Sequence, residues 1–250
     1  MFSDAAMNVV GLMGRLASHL LLPVRCASCD RPLHGDPVPF FCRRCWATMK
    51  PLRGPACPRC GRPFYSPSSL THSPDHLCGD CRLDPPAFSR AWSSWPYEPP
   101  LTDAIRLLKY HGKVALAAHL GDLMEPIPSD LPGIDLLMPV PLFPARLRER
   151  EFNQSLLLAD RLNRRLRTRL SYDNLVRDRA TPPQTELPRS ARLQNLRHAF
   201  AAARPLEVEG RRILLIDDVY TTGTTLNECA KTLRKAGASE VYAWTLARTV

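Results

Sequence analysis

Ile213-Leu214-Leu215-Ile216-Asp217-Asp218-Val219-Tyr220-Thr221-Thr222-Gly223-Thr224-Thr225 is the stretch from which the fold of this 250-residue chain is read. Ile213 to Ile216 is apolar at four consecutive positions, as in a strand covered on both faces. Two carboxylates stand at its carboxyl end, and a hydroxyl-rich turn around Gly223 follows. Leu226 to Ala236 then reads as a helix with Leu226, Cys229, Ala230 and Leu233 on one side, Cys229 being a buried helix residue. Gly237 has the place of a helix C′ stop, and Val241 to Ala247 is a second apolar strand. Strand, helix and strand in this order form a βαβ unit, so the fold class is α/β with a parallel sheet and flanking helices.

The placement dictates chemistry. Ligands of open α/β sheets sit beyond the carboxyl ends of the strands. Backbone N–H groups at a helix N-terminus attract phosphate, and threonine hydroxyls add donors. Asp217 and Asp218 repel a phosphate, but they accept hydrogen bonds from ribose hydroxyls or hold a hydrated Mg²⁺. A ribose phosphate therefore suits this turn, with the acids on the sugar and Thr221, Thr222, Gly223, Thr224 and Thr225 on the 5′-phosphate. Neither a GxxxxGK[ST] loop nor a GxGxxG turn is present.

Eight of the nine cysteines form four C-x-x-C pairs in the first 81 residues: Cys26/Cys29, Cys42/Cys45, Cys57/Cys60 and Cys78/Cys81. C-x-x-C at a turn aims two sulfurs at one point, and tetrahedral Zn²⁺ takes two such pairs. Sequential pairing gives C-x2-C-x12-C-x2-C and C-x2-C-x17-C-x2-C, both suited to zinc ribbons. Interleaved pairing, first with third and second with fourth, is equally compatible with the spacing. A disulfide framework and an iron–sulfur cluster are the rival readings; a reducing compartment disfavours the first, and the turn residues Pro58, Gly61 and Gly79 fit zinc better than the second. Four thiolates per metal leave no open position, so the two zinc ions are structural. Few large apolar residues lie between 23 and 86, and metal binding supplies folding energy there. His72 and His76 are alternative ligands, made unnecessary by eight thiols.

Quoted side by side, these motifs resemble two known patterns. Ile213 to Thr225 resembles the phosphoribosyl pyrophosphate (PRPP) signature of type I phosphoribosyltransferases. With the four cysteine pairs, residues 20 to 250 resemble the ComF/GntX family, which joins a zinc module to such a domain. Leu108-Lys109-Tyr110-His111-Gly112 resembles that family's Lys-aromatic-x-Gly segment, Met138-Pro139-Val140-Pro141-Leu142 its Pro-Val-Pro-Leu strand end, and Phe152-Asn153-Gln154 its Phe-Asn-Gln element. Arg179, Thr181, Gln184, Arg192, Asn195 and Phe200 match its later stretch. The resemblance implies PRPP with Mg²⁺ as ligand, bound by Asp217, Asp218, Thr221 to Thr225, Pro139, Val140, Pro141, Leu142 and Arg146. It also implies a role in DNA uptake or nucleotide handling, as in natural competence, with single-stranded DNA and the DNA-uptake machinery as partners. The alternative is a non-catalytic adaptor that senses PRPP or a nucleotide while gripping single-stranded DNA. Glu151 departs from the family, which has Gly there; its carboxylate either repels pyrophosphate or pairs with Arg148 or Arg150.

The remaining segments are less specific. The expected layout is an amphipathic helix over 1–22, a double zinc-ribbon module over 23–86 and the phosphoribosyltransferase-like domain over 87–250. Phe88, Trp92, Trp95 and Tyr97 mark an opening strand, and a first helix runs from Leu101 to Lys109. The net charge of +10 favours phosphorylated partners, although two four-thiolate zinc sites, each adding about −2, leave only about +6. No run reaches the ~18 apolar residues of a membrane span, and no cationic segment precedes the first apolar stretch, so a cytoplasmic protein is expected. Arg25, Arg31, Arg43, Arg44, Lys50, Arg53, Arg59 and Arg62 surround the ligands, and Phe40, Phe41, Trp46, Phe64 and Tyr65 either stack on bases or pack around the metals. Arg146, Arg148 and Arg150 read as pyrophosphate or polynucleotide contacts, and Arg161, Arg164, Arg165, Arg167 and Arg169 as a solvated helix face opposite Leu157, Leu158, Leu162 and Leu166. Residues 177 to 198, poor in apolar positions, suit either a loop that closes over substrate or a disordered connector.

Overall fold

The computed structural model describes residues 24–64, 73, 75–124, 126–178 and 199–250. The helix expected over 1–22 lies outside them, as do His72, Tyr65, the loop residues 179–198 and with them Arg179, Thr181, Gln184, Arg192 and Asn195. Two short helices, α1 (Arg43–Trp46) and α2 (Gly79–Leu83), each begin directly after a cysteine. Then follow β1 (Arg90–Pro96), α3 (Leu101–His111), α4 (Leu116–Asp122), β2 (Leu136–Pro139), α5 (Pro144–Arg150), α6 (Gln154–Leu166) and β3 (Arg169–Leu170). β4 (Leu175–Arg177) and β5 (Phe200–Ala202) pair antiparallel, and β6 (Arg212–Tyr220), α7 (Thr224–Lys235) and β7 (Glu240–Arg248) close the chain.

The main sheet has the order β1-β7-β6-β2-β3, every neighbour parallel. Its faces are buried on both sides, which is why β2 and the first half of β6 read as unbroken apolar runs. Ile213 and Leu215 pack on the α7 side with Leu226, Cys229, Ala230 and Leu233, whereas Leu214 and Ile216 pack on the α3, α4 and α6 side with Leu108, Leu120 and Leu158. The cysteines enter these same layers. Cys57, Cys60, Cys78 and Cys81 belong to the first cluster, and Cys26 and Cys42 to the second, with Phe41.

Three helix ends follow from local chemistry. Asn153 caps α6 by accepting from the Ser155 N–H at 2.9 Å. Gly112 ends α3 in the left-handed conformation. Pro144 opens α5 at its first turn, where its fixed φ suits a helix start.

β6 runs further than the apolar run Ile213 to Ile216. Pairing with β7 continues through Asp217↔Thr245 and Val219↔Ala247 to Tyr220↔Arg248, whereas pairing with β2 stops at Pro139↔Ile216. The two acids thus lie within the strand, four residues of which project past the end of β2.

Candidate functional site

Chain order sets the location. From β2 the chain moves outward through α6 to β3, and from β6 it moves the other way through α7 to β7. The direction of winding reverses between β2 and β6, and the carboxyl ends of the strands at such a switch point leave a crevice. Two loops flank it. The Pro139-to-Leu142 turn leaves β2, anchored by the Val140 N–H donating to Ile216 O at 2.9 Å and by Asn153 Nδ2 donating to Val140 O at 3.1 Å. Thr221 to Thr225 leads from β6 into α7.

Gly223 sits at φ 77° at the N-cap of α7, and a Cβ there would lie 2.2 Å from the Tyr220 hydroxyl, so only glycine fits the bend. Thr222 Oγ1 and Thr224 Oγ1 are 2.8 Å apart, and the Thr224 N–H donates to Thr222 Oγ1 at 3.4 Å. Thr221 is exposed, Thr222 and Thr225 are half-buried and Thr224 is buried. A helix N-terminus with hydroxyls converging on it is an anion cradle.

Asp217 reaches α6, and Asp218 reaches both α3 and α6. Asp217 Oδ1 accepts from Ser155 Oγ at 2.9 Å and from the Asp218 N–H at 2.9 Å. Asp218 forms an ion pair with Lys109 and lies 3.5 Å from Gln154 Nε2. Arg150 Nη1 donates to Gln154 Oε1 at 2.6 Å and stacks on Tyr110 at 5.7 Å. Burial, then the Asp218 charge, push the Asp217 carboxyl up to about 7. Burial also acts on Asp218, but Lys109 outweighs it, with hydrogen bonds from Asp217 and Gln154, and holds that carboxyl below the usual range. Lys109, Gln154 and Ser155 were not singled out for this role from the sequence. Their signal was present in the Lys109-Tyr110 segment and in Asn153-Gln154 at a helix start.

The arginines divide by helix geometry. On α5, Arg146 and Arg150 share a face four residues apart and are half-buried, whereas Arg148 points away and is exposed. Arg150 senses the charges of Asp218 and Arg146. Glu151 is exposed, at φ 66°, and among the described residues it forms no ion pair with Arg148 or Arg150. The left-handed backbone at this position is one that glycine adopts without strain. On α6, Arg164 is exposed as expected, while Arg161 forms a bidentate pair with Asp122 at 2.6 and 2.9 Å.

The cysteine clusters resolve the pairing as sequential. Cys26, Cys29, Cys42 and Cys45 form one group and Cys57, Cys60, Cys78 and Cys81 the other, with all sulfurs of a group within 4.8 Å. Cys29 and Cys42 Sγ lie 3.8 Å apart and Cys60 and Cys78 Sγ 3.7 Å, matching the edge of about 3.8 Å for a tetrahedron with Zn–S bonds of about 2.3 Å. Backbone N–H groups of Cys42, Cys45 and Cys78 donate to sulfurs at 3.4 Å. Within one set the thiols do not ionise together: a hydrogen bond with Cys60, first, holds Cys57 down at about 4, whereas burial, first, pushes Cys81 up to about 12. A divalent ion resolves that conflict, so both sets fit structural zinc. Among the described residues, the module's aromatics pack rather than stack outward. Phe41 is fully buried against Trp46 at 5.3 Å, Phe64 faces His76 at 5.6 Å, and Lys113 covers Phe40. Among the described residues, no helix is long and apolar enough to cross a membrane.

Comparison with known proteins agrees with both halves. A double zinc ribbon domain model matches residues 17–82, and a phosphoribosyl transferase domain model matches 153–249. The chain is 36% identical to the DNA utilization protein YhgH of Escherichia coli K12, over 92% of this chain and 100% of that one. It is 33% identical to competence protein F of Haemophilus influenzae, over 90% and 96%. Among solved structures, a glutamine PRPP amidotransferase from B. subtilis complexed with ADP and GMP overlays with a TM-score of 0.33 at 23% identity, covering 52% of this chain and 25% of that one.

Proposed function

Because the chain belongs to the ComF/GntX family, in which a double zinc ribbon precedes a phosphoribosyltransferase domain, we propose that it binds PRPP with Mg²⁺ in the β2–β6 crevice and acts in DNA uptake or nucleotide handling in the cytoplasm. One observation carries the reading. The acids of β6 project past the end of β2 at the switch point, one turn from a glycine-bent threonine loop that heads α7.

Asp217 and Asp218 hold the two ribose hydroxyls, which take over places now filled by Ser155, Gln154 and Lys109. Thr221 to Thr225 bind the 5′-phosphate. The Pro139, Val140, Pro141 and Leu142 turn, with Arg146 from α5, faces the pyrophosphate and stabilises the charge that grows on it as its bond to C1 breaks. Mg²⁺, when bound with PRPP, neutralises pyrophosphate charge. The carboxylates lie where positive charge develops at C1, and a nucleophilic atom of an acceptor completes the transfer.

Titration calorimetry with PRPP and Mg²⁺, on wild type and on the double variant Asp217→Ala/Asp218→Ala, tests the pocket. Heat that saturates in wild type and is lost in the variant supports it; equal binding in both sinks it. Pyrophosphate release across a panel of nucleobases and amines then decides between transfer and sensing.

Single-stranded DNA is the proposed macromolecular partner. Arg31, Arg43, Arg44 and Arg53 are exposed on the ribbons, while the aromatics are packed inward. Contact of this kind is electrostatic, so affinity should fall steeply with salt in a filter-binding titration. Salt-independent binding would rule it out.

A further inference from the structure

The second cysteine cluster and the phosphate loop share a wall. Arg248, at the end of β7, is only 2% exposed, yet among the described residues it forms no ion pair. Its Nη1 donates to the carbonyl oxygen of Cys60 at 2.7 Å, its guanidinium stands 4.6 Å from the centre of the Tyr220 ring, and its Nε has no hydrogen-bond partner. A buried guanidinium without an acid is unfavourable unless another negative charge is near. Four cysteine thiolates around Zn²⁺ carry a net charge of about −2, and Cys60 is one of them.

The other end of this contact is the loop. Tyr220 pairs with Arg248 across β6 and β7, and its hydroxyl lies beneath Gly223, where a Cβ would meet it at 2.2 Å. The ribbon is held from the other side as well. The Ala91 N–H of β1 donates to Arg59 O at 2.8 Å, and a Cβ on Gly61 would lie 2.6 Å from Ala91 O, so the metal knuckle rests directly on the sheet. A cavity of about 170 Å³ is lined by residues of both, Cys60 and Cys81 from the ribbon and Thr222 and Gly223 from the loop, together with Arg248.

We propose that Arg248 and Tyr220 are positioning residues that tie the second zinc site to the phosphate loop, so that metal at Cys57, Cys60, Cys78 and Cys81 and anion at Thr221 to Thr225 strengthen each other. The proposal rests on the reading of that loop as a phosphate site. The zinc cluster neutralises Arg248, Arg248 fixes the Tyr220 ring, and the ring sets the bend at Gly223. Reciprocity follows from linkage: a ligand on the loop must tighten metal binding by the same factor as the metal tightens ligand binding, and slower metal loss is its expected sign.

The test uses the full zinc-loaded chain and a zinc-selective chelator that spares Mg²⁺. Pulsed alkylation with peptide mass spectrometry reports the two cysteine sets separately. With PRPP and Mg²⁺, alkylation of Cys57, Cys60, Cys78 and Cys81 should slow about tenfold, a mid-range coupling, while Cys26, Cys29, Cys42 and Cys45 are unaffected. In Arg248→Met the second set should be alkylated faster without ligand, and PRPP should no longer protect it. Arg248→Lys, which keeps the charge, should restore part of both effects, and melting curves confirm that each variant is folded. PRPP that binds wild type by calorimetry yet leaves the second set's rate unchanged overturns the proposal. So does an Arg248→Met variant whose ligand-free rates equal those of wild type. A wild type that binds no PRPP overturns the functional reading and the loop half with it, a result distinguishable because the ligand-free comparison still reads the zinc half alone.

Discussion

Lys109, on the last turn of α3, forms an ion pair with Asp218 on β6, and the two side chains are 19% and 6% exposed. Each holds the other in its charged form against burial, Asp218 below and Lys109 above its ordinary range. The pair therefore stabilises the fold from the carboxylate range up to the ammonium range. Lys109→Met leaves a buried carboxylate alone and should cost about 3 kcal/mol at pH 7. The loss should shrink as pH falls and Asp218 takes up a proton. Urea denaturation at pH 7 and pH 4 measures both; an equal loss at the two values would show that the pair is solvated.

Asp217 should behave in the opposite sense. Its folded-state value of about 7 lies above the ordinary 3.8, so between these values the folded protein holds a proton that the unfolded chain has shed. Stability from this group is fully present below pH 4 and is lost as pH rises to 7. Asp217→Asn removes the penalty, while an asparagine oxygen still accepts from Ser155. The variant should gain stability relative to wild type between pH 5 and pH 8, with a ceiling of about 4 kcal/mol set by the span from 3.8 to 7. A constant difference across that range would refute the raised value.

Glu151 offers a test free of the site. With φ at 66° and the side chain exposed, its replacement by glycine relieves backbone strain without removing a contact. Glu151→Gly should raise stability by about 1 kcal/mol and leave PRPP affinity within twofold. A large gain in affinity instead would mean that the carboxylate does reach the pyrophosphate.

The parts legible in the sequence share one property: their chemistry is local. Ile213 to Thr225 names a strand, a turn and a helix start within thirteen residues, and C-x-x-C brings two sulfurs together whatever surrounds it. Asn153 before Gln154 to Leu166 is local for the same reason, whereas the helix read from Leu101 to Lys109 runs on to His111 and stops at Gly112. Cysteine pairing could not be read, because the turn spacing suits sequential and interleaved partners alike. The length of β6 could not be read either, since Asp217 and Asp218 are poor strand formers held in register by β7. Lys109 and Asp218 are brought together only by packing of α3 on the sheet, and no spacing rule links residues so far apart. No local pattern marks Arg248 as buried; it is covered because a zinc ribbon docks on it.

That docking predicts the order in which metal is lost. In the second set all four cysteines are buried, at 2 to 5% exposure, within the core that holds α7 against the sheet. In the first set Cys29 is exposed and Cys45 half-buried. A chelator reaches a thiolate only where solvent does, so the first ion should leave well before the second. The structural consequences should differ in the same order. Loss of the first ion should loosen the ribbon with the smaller change in melting temperature, because Cys29 and Cys45 reach solvent while Val38 and Phe41 stay packed in the second core cluster. Loss of the second exposes the Phe88, Ala91 and Tyr220 layer and should cause cooperative unfolding. Metal analysis of wild type should give two zinc ions per chain. Cys29→Ser should retain one with the fold intact, and Cys81→Ser should lower the melting temperature by ten degrees or more, on the order expected for several kcal/mol in a domain of this size. Equal melting temperatures for the two variants would mean that the buried ribbon is no part of the core.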